Sequence, residues 1–137
     1  MIYVDSNYWI YWLDARFPEH RYTTNAMRKS VSGGIIMNYV TLVEVAHYLR
    51  SLPKERLSDS LTAIQNLSTL TLIDLDHEIT QIALEVLPQY SNEGLGGRDC
   101  VIIATMRAHG VKDILTHDRD FANVEGIHVV DTIPPGL

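Results

Sequence analysis

The sequence predicts an α/β domain in which a central, mostly parallel sheet is layered between helices (a three-layer α/β/α arrangement). Two observations carry that reading. Short, largely apolar runs ("MIYV", "IIMNYV", "LTLIDL", "DILTH", "IHVVD") recur along the 137 residues, and stretches of helical periodicity separate them. Strands separated by helices pair in parallel through right-handed crossovers, and such short apolar strands suit a sheet covered on both faces. With 46% hydrophobic residues, the chain can bury one sizeable core and little more, so residues 1–137 are expected to form a single domain.

Taken in order, "MIYV" reads as a buried strand, residues 6–13 as a helix, and 18–32 as a more polar helix stopped by Gly33 and Gly34. A second strand follows at "IIMNYV", after which Thr41 begins a helix running to Arg50. Pro53 permits a fresh helix start, and "SDSLTAIQNLSTL" carries that helix to a third strand at "LTLIDL". Residues 77–90 are helical again. Beyond "NEGLGG", "RDCVIIATMRAHG" is a mostly apolar helix stopped by Gly110, and "DILTH" and "IHVVD" supply strands four and five. The sequence contains no repeat and no low-complexity segment.

Composition excludes several functional classes. Asp5 interrupts what would otherwise be the start of an apolar leader, and no apolar run approaches the roughly 18 residues of a membrane span, so a cytoplasmic protein without a membrane partner is expected. A lone Cys100, without a CxxC or Cys/His spacing, provides neither a disulfide framework nor a zinc site. The net charge of −6 does not announce a nucleic-acid binder, yet 7 of the 11 basic residues fall between positions 16 and 56. That asymmetry is either a basic rim or a set of ordinary solvated helix faces.

In open parallel sheets, ligands bind beyond the carboxyl ends of the strands. Asp5 ends strand one, Glu44 lies in the first turn of the helix after strand two, Asp99 starts the apolar helix, and Asp118 follows strand four. Gathered at one edge, these acids would repel one another and raise their pKa values unless a cation were present, and hard oxygen donors suit Mg²⁺ or Mn²⁺. Each acid also has a structural explanation. Asp5 can cap the first helix, "TLVE" is a capping box with Thr41 at its N-cap, Asp99 can cap or complement its helix dipole, and Asp118 can form a turn. Asp74 and Asp76 serve as a control: they too flank a strand end, yet "LIDLDHE" reads as a strand running into a helix capped by Asp76.

The opening "YVDSN", the "TLVEV" helix start, "GGRDCVIIATMRAHG" and "ILTHDRDF" occur in that order over nearly the whole chain. Together they resemble the PIN domain, and more closely the small VapC-type toxins of toxin–antitoxin pairs. The resemblance implies a PIN-like fold and a ribonuclease dependent on Mg²⁺ or Mn²⁺, with Asp5, Glu44, Asp99 and Asp118 as its acidic set. Thr116 matches the polar residue two positions before the last acid. Asp120 is an auxiliary acid, and Cys100 stands where alanine is common in the family. Also implied are an RNA substrate, a cognate antitoxin and a homodimer.

For such chemistry, a bound cation acidifies a coordinated water, polarises the phosphoryl oxygen and stabilises the leaving oxygen. Asp5 and Asp99 are assigned as direct ligands, Asp118 as direct or water-mediated, and Glu44 as a water-mediated ligand or water-positioning base. Thr116 is assigned to orient a carboxylate or a bound water. Attack by water leaves a 5′-phosphate and a 3′-hydroxyl. Arg16, Arg21, Arg28, Arg50 and Arg98 are the candidates for RNA phosphates, while His117 is read as an incidental, exposed loop histidine. Trp9 and Trp12 are expected in the core, and any exposed aromatic of the first helix would serve a dimer or antitoxin interface. Two other classes compete: a haloacid-dehalogenase-like phosphatase, whose second aspartate is replaced here by Asn7, and a catalytically inactive PIN-like module that binds RNA or protein.

Overall fold

The computed structural model describes residues 1–137. In chain order the elements are β1 (Ile2–Val4), α1 (Ser6–Leu13), α2 (His20–Gly33), β2 (Ile35–Asn38), α3 (Tyr39–Tyr48) and α4 (Lys54–Gln65), then β3 (Leu70–Ile73), α5 (His77–Tyr90), α6 (Gly97–Ala108), β4 (Asp113–Leu115) and β5 (His128–Val130). Short 3₁₀ turns cover Ser91–Glu93 and Arg119–Asn123. The strands form one sheet in the order β3-β2-β1-β4-β5, and all four pairings are parallel. Six helices flank it, giving the expected three-layer α/β/α fold, with α1 packed on α2 and α3, and α5 packed on α6.

Strand order determines where a ligand crevice opens. From β1 the chain steps outward to β2 and β3, then crosses back over β1 to β4 and β5. The β1/β4 boundary is therefore the point at which the winding reverses, and loops leaving the carboxyl ends of two such strands diverge and leave a crevice. Asp5 leaves β1 and Thr116 leaves β4 at that point.

A core of 29 apolar side chains holds the layers together, its largest members being Trp9, Tyr3, Tyr8 and Phe121. Trp9 is fully buried as expected, whereas Trp12 is only partly buried against the core. The polar tips of the buried aromatics are satisfied: Trp9 Nε1 donates to the Val4 carbonyl at 3.2 Å, and the Tyr3 hydroxyl meets Thr41 Oγ1 at 2.7 Å while accepting the Asn38 N–H at 3.0 Å.

One local expectation is overturned. Helix α3 begins at Tyr39 rather than Thr41, because the Asn38 side chain accepts the Val40 N–H at 3.0 Å and acts as the cap. The Thr41 hydroxyl is buried against Tyr3 instead, so the "TLVE" capping box does not form and Glu44 lies in the second turn, not the first. Strand β2 accordingly ends at Asn38, two residues early, and helix α2 starts at His20 rather than at residue 18. The control behaves as expected: Asp76 caps α5 by accepting the Ile79 N–H at 2.9 Å.

Candidate active site

The Asp5 N–H donates to the Leu115 carbonyl at 3.0 Å, which extends the β1–β4 ladder one residue beyond the strands. This fixes the aspartate backbone at the switch point. Its Oδ1 accepts the Ser6 N–H at 2.7 Å, so the capping role is real, but its Oδ2 accepts the Thr116 hydroxyl at 2.7 Å across the crevice. Thr116 is fully buried, and its hydroxyl oxygen also accepts Asn7 Nδ2 at 3.3 Å and the Asp118 N–H at 3.0 Å. One hydroxyl thereby ties together the end of β1, the first turn of α1 and the loop leaving β4.

Asp99 is the third residue of α6, and its Oδ2 accepts the Gly96 N–H at 3.0 Å. Asp118 Oδ1 accepts the Asp120 N–H at 3.0 Å, the turn-forming contact that its position suggested. From α3, Glu44 accepts the Ser6 hydroxyl at 2.5 Å and pairs with Arg98. Asp5, Glu44, Asp99 and Asp118 all line one cleft of about 430 Å³, together with Ser6, Asn7 and Arg98. Asp120 lies outside the cleft wall, its carboxylate lodged against Gly94, whose φ of +81° and missing Cβ permit the close approach.

The electrostatics follow from this crowding. Burial pushes the Asp5 carboxyl up, the Thr116 and Ser6 hydrogen bonds pull it down, and the charges of Asp99 and Asp118 push it up again, leaving it at about 6. Asp99 is raised as well: burial dominates, Gly96 and Arg98 oppose it, and Asp118 and Asp120 add repulsion. Arg98 is the one basic residue in the cleft wall, so three carboxylates there have no cationic partner among the ion pairs. No three His, Cys, Asp or Glu side chains are gathered tightly enough to enclose an ion directly. All-oxygen donors with excess negative charge and room between them fit a hard divalent cation that retains several of its waters.

The other candidates are placed as follows. Arg16, Arg21, Arg28 and Arg50 do not line the cleft. Arg16 is held by Asp14 at 2.8 Å, Arg21 reaches the Tyr22 hydroxyl, and Arg50 Nη1 donates to the His47 carbonyl at 2.6 Å. His117 is not the exposed residue expected from its loop. Its backbone N–H donates to Asn7 Oδ1 at 3.2 Å, and its ring nitrogens contact Asp131 Oδ2 at 2.9 Å and the Leu137 carbonyl at 2.8 Å. Burial pulls its pKa down, but Asp131 and the Leu137 carbonyl outweigh that and raise it. Asp131 is in turn anchored by the Tyr8 hydroxyl at 2.7 Å. Ser6 and Asn7 went unassigned although they adjoin Asp5 in "YVDSN"; their signal is helical phase, since the first turn of α1 points back into the cleft.

The sequence profile of the PIN domain matches residues 2–127, which include every residue of the cleft wall. The chain belongs to the PIN domain family. Among solved structures, this PIN fold is similar to VapC20 of Mycobacterium tuberculosis, described as a sarcin–ricin loop cleaving toxin (TM-score 0.78, 18% identity, 89% of this chain and 93% of that one). VapBC2 of Rickettsia felis, bound to a DNA fragment from its promoter, gives a TM-score of 0.71 at 20% identity over 96% and 98% of the two chains. A toxin–antitoxin complex of Klebsiella pneumoniae gives 0.67 at 21% identity over 95% and 96%. At such identities, the likeness establishes the shared PIN fold. No curated protein sequence matches the chain. No helix is long and apolar enough to cross a membrane.

Proposed function

We propose that residues 1–137 form one catalytic domain, a metal-dependent endoribonuclease that acts as the toxin of a toxin–antitoxin pair. The observation that carries this reading is the convergence of Asp5, Asp99 and Asp118, two of them with raised pKa values, on a cleft with a single basic residue in its wall. Membership of the PIN domain family and the similarity to VapC structures support it.

When bound, Mg²⁺ or Mn²⁺ supplies an acidified water and neutralises charge on the phosphodiester oxygens. Asp5 and Asp99 would hold the ion directly and Asp118 through water, or directly once the carboxylates draw together around the ion. Glu44, tethered by Ser6, would accept a proton from the attacking water once Arg98 turns to a substrate phosphate. By donating to Oδ2, Thr116 would orient Asp5 and favour its ionised form against the effect of burial. Asp120 adds negative charge behind Asp99 and serves as an auxiliary acid. The products would carry 5′-phosphate and 3′-hydroxyl ends. Arg28 would meet RNA phosphates beyond the cleft, and so would Arg16, Arg21 and Arg50 once released from Asp14, Tyr22 and His47. A cytoplasmic homodimer restrained by a cognate antitoxin completes the proposal.

The test is cleavage of structured RNA by purified wild type in Mg²⁺, Mn²⁺ and EDTA, with end-group analysis of the products. Metal-dependent cutting that leaves 5′-phosphates is expected. Metal titration without turnover on a broad RNA panel would favour the inactive binding module, and turnover of phosphomonoesters would favour the phosphatase. Charge reversal at several of the outer arginines should flatten the salt dependence of binding; an unchanged slope removes them from the RNA surface.

A further inference from the structure

The loop that carries Asp118 is fastened from two sides. Toward the cleft, the Thr116 hydroxyl donates to Asp5 and the His117 N–H to Asn7. Outside the cleft wall, the residues on either side of Asp118 both turn to one carboxylate. The His117 ring donates from Nδ1 to Asp131 Oδ2 at 2.9 Å, and the Arg119 guanidinium lies 3.7 Å from the same oxygen. Asp131 is itself firmly held. Its Oδ1 accepts the Tyr8 hydroxyl at 2.7 Å and the Ile133 N–H at 3.0 Å. The next residue, Thr132, donates its N–H to the Tyr8 hydroxyl at 2.7 Å and its own hydroxyl to the Tyr22 carbonyl at 2.6 Å. Tyr8 and Ile133 belong to the buried core, and the Asp131 side chain is only 5% exposed. Burial pushes the Asp131 carboxyl up, but the Tyr8, His117 and Ile133 donors outweigh it and hold it below its ordinary value, so the anchor is charged.

We infer that Asp131 is a positioning residue for the metal centre: through His117 it fixes the stretch of backbone that aims Asp118 into the cleft. This rests on the metal reading of that cleft. The Asp118 carboxylate receives one hydrogen bond, from the Asp120 N–H within its own turn, so its place is set by the segment around it. Without the hold on His117, that segment would be fastened from the cleft side alone. Groups that orient metal ligands from behind contribute to affinity although they never touch the ion. A staple for the segment after β5 would need only the contacts to Tyr8 and Tyr22, none of which reaches the loop. The second oxygen of Asp131, spent on His117, is what such a staple leaves unexplained. Asp131 also lies past β5 and outside residues 2–127, so membership of the PIN family assigns it no part.

The experiment pairs calorimetric titration of Mn²⁺ into the whole chain with amide hydrogen exchange over residues 116–120 in EDTA. Asp131→Ala removes the anchor, and His117→Phe keeps a ring but no donor. His117→Asn sets an amide nitrogen as many bonds from the backbone as Nδ1 and can still donate to Asp131. Thr132→Val loosens the staple at Tyr22 without touching the loop. Asp131→Ala and His117→Phe should each weaken Mn²⁺ binding about tenfold, whereas His117→Asn stays within about threefold of wild type. The same two disruptive variants should exchange faster over residues 116–120 with no metal present. Thr132→Val should keep wild-type affinity although its melting temperature falls. If Asp131→Ala does not fold, His117→Phe decides. Wild-type affinity in the disruptive variants would overturn the positioning role and leave the metal centre intact. Affinity that falls in step with melting temperature in all four variants would reduce Asp131 to a staple and overturn it equally. No saturable Mn²⁺ binding by wild type would overturn the metal centre and this inference with it.

Discussion

Two hollows of nearly equal size flank the same sheet. One is the carboxylate cleft at the ends of β1 and β4, about 430 Å³; the other, about 460 Å³, runs beneath α2 and is lined by Met1, Ile2, Lys29, Gly34 and Asp113 among others. Each has aspartate in its wall, and β4 contributes to both, with Asp113 at its start and Asp118 just beyond its end. They differ in compensation. Asp113 is exposed and paired with His128 at 3.0 Å, whereas Asp5 is buried, repelled by Asp99 and Asp118, and pushed up to about 6. Volume does not distinguish the hollows, but electrostatic frustration does, and the metal site proposed above rests on that difference.

The sharpest way to break the comparison is to remove charge from one hollow at a time. Asp99→Asn or Asp5→Asn should reduce RNA cleavage on the order of a thousandfold, the several kcal/mol that a catalytic ion contributes, while Lys29→Ala under α2 changes kcat/KM by less than about twofold. Equal losses from both hollows would erase the distinction. Next in size is Thr116→Val, which keeps shape but removes the donor to Asp5 and the acceptor of Asn7 and Asp118. Cleavage should fall about 10- to 100-fold, in the range of groups that orient metal ligands, and apparent metal affinity should fall with it.

Stability supplies a third effect, opposite in direction to the loss of activity. The folded Asp5 carboxyl titrates near 6 against an ordinary 3.8, so the native state binds its proton more tightly than the unfolded chain does. Its contribution to stability is fully present below 3.8 and is lost as pH rises through 6. In EDTA, Asp5→Asn should therefore stabilise the protein at pH 7.5 by up to about 3 kcal/mol, the equivalent of a two-unit shift, with the gain disappearing below about pH 4. Thermal melts across that range check it. Destabilisation at pH 7.5 would mean that the Ser6 and Thr116 hydrogen bonds outweigh the buried charge.

Much of this was legible in the sequence, because the hydrophobic period determines both where strands and helices fall and, through right-handed crossovers, which loops share an edge. Asp5 and Asp118 could be placed from their distance to an apolar run alone. The capping box at Thr41 and Glu44 misled because Asn38 competes for the same helix start, and the competition is decided by a Tyr3 hydroxyl 38 residues away from Thr41. Local pattern carries no information about such a contact. His117 is another case: its ring is held by Asp131 from beyond β5, so its loop position said little about its exposure. The rings of Tyr11, Phe17 and Tyr48, which line the cleft, were hardest to anticipate, since an aromatic residue at helical spacing looks the same whether it faces the core or the crevice.

The most direct test of the central claim is a calorimetric titration of Mn²⁺ into wild type, Asp5→Asn, Asp99→Asn and Lys29→Ala near pH 7. Saturable binding by wild type and Lys29→Ala, weakened at least about tenfold in both carboxylate variants, is the predicted result. Identical binding by all four proteins, or none by wild type, would contradict the assignment of the carboxylate cleft as a metal centre.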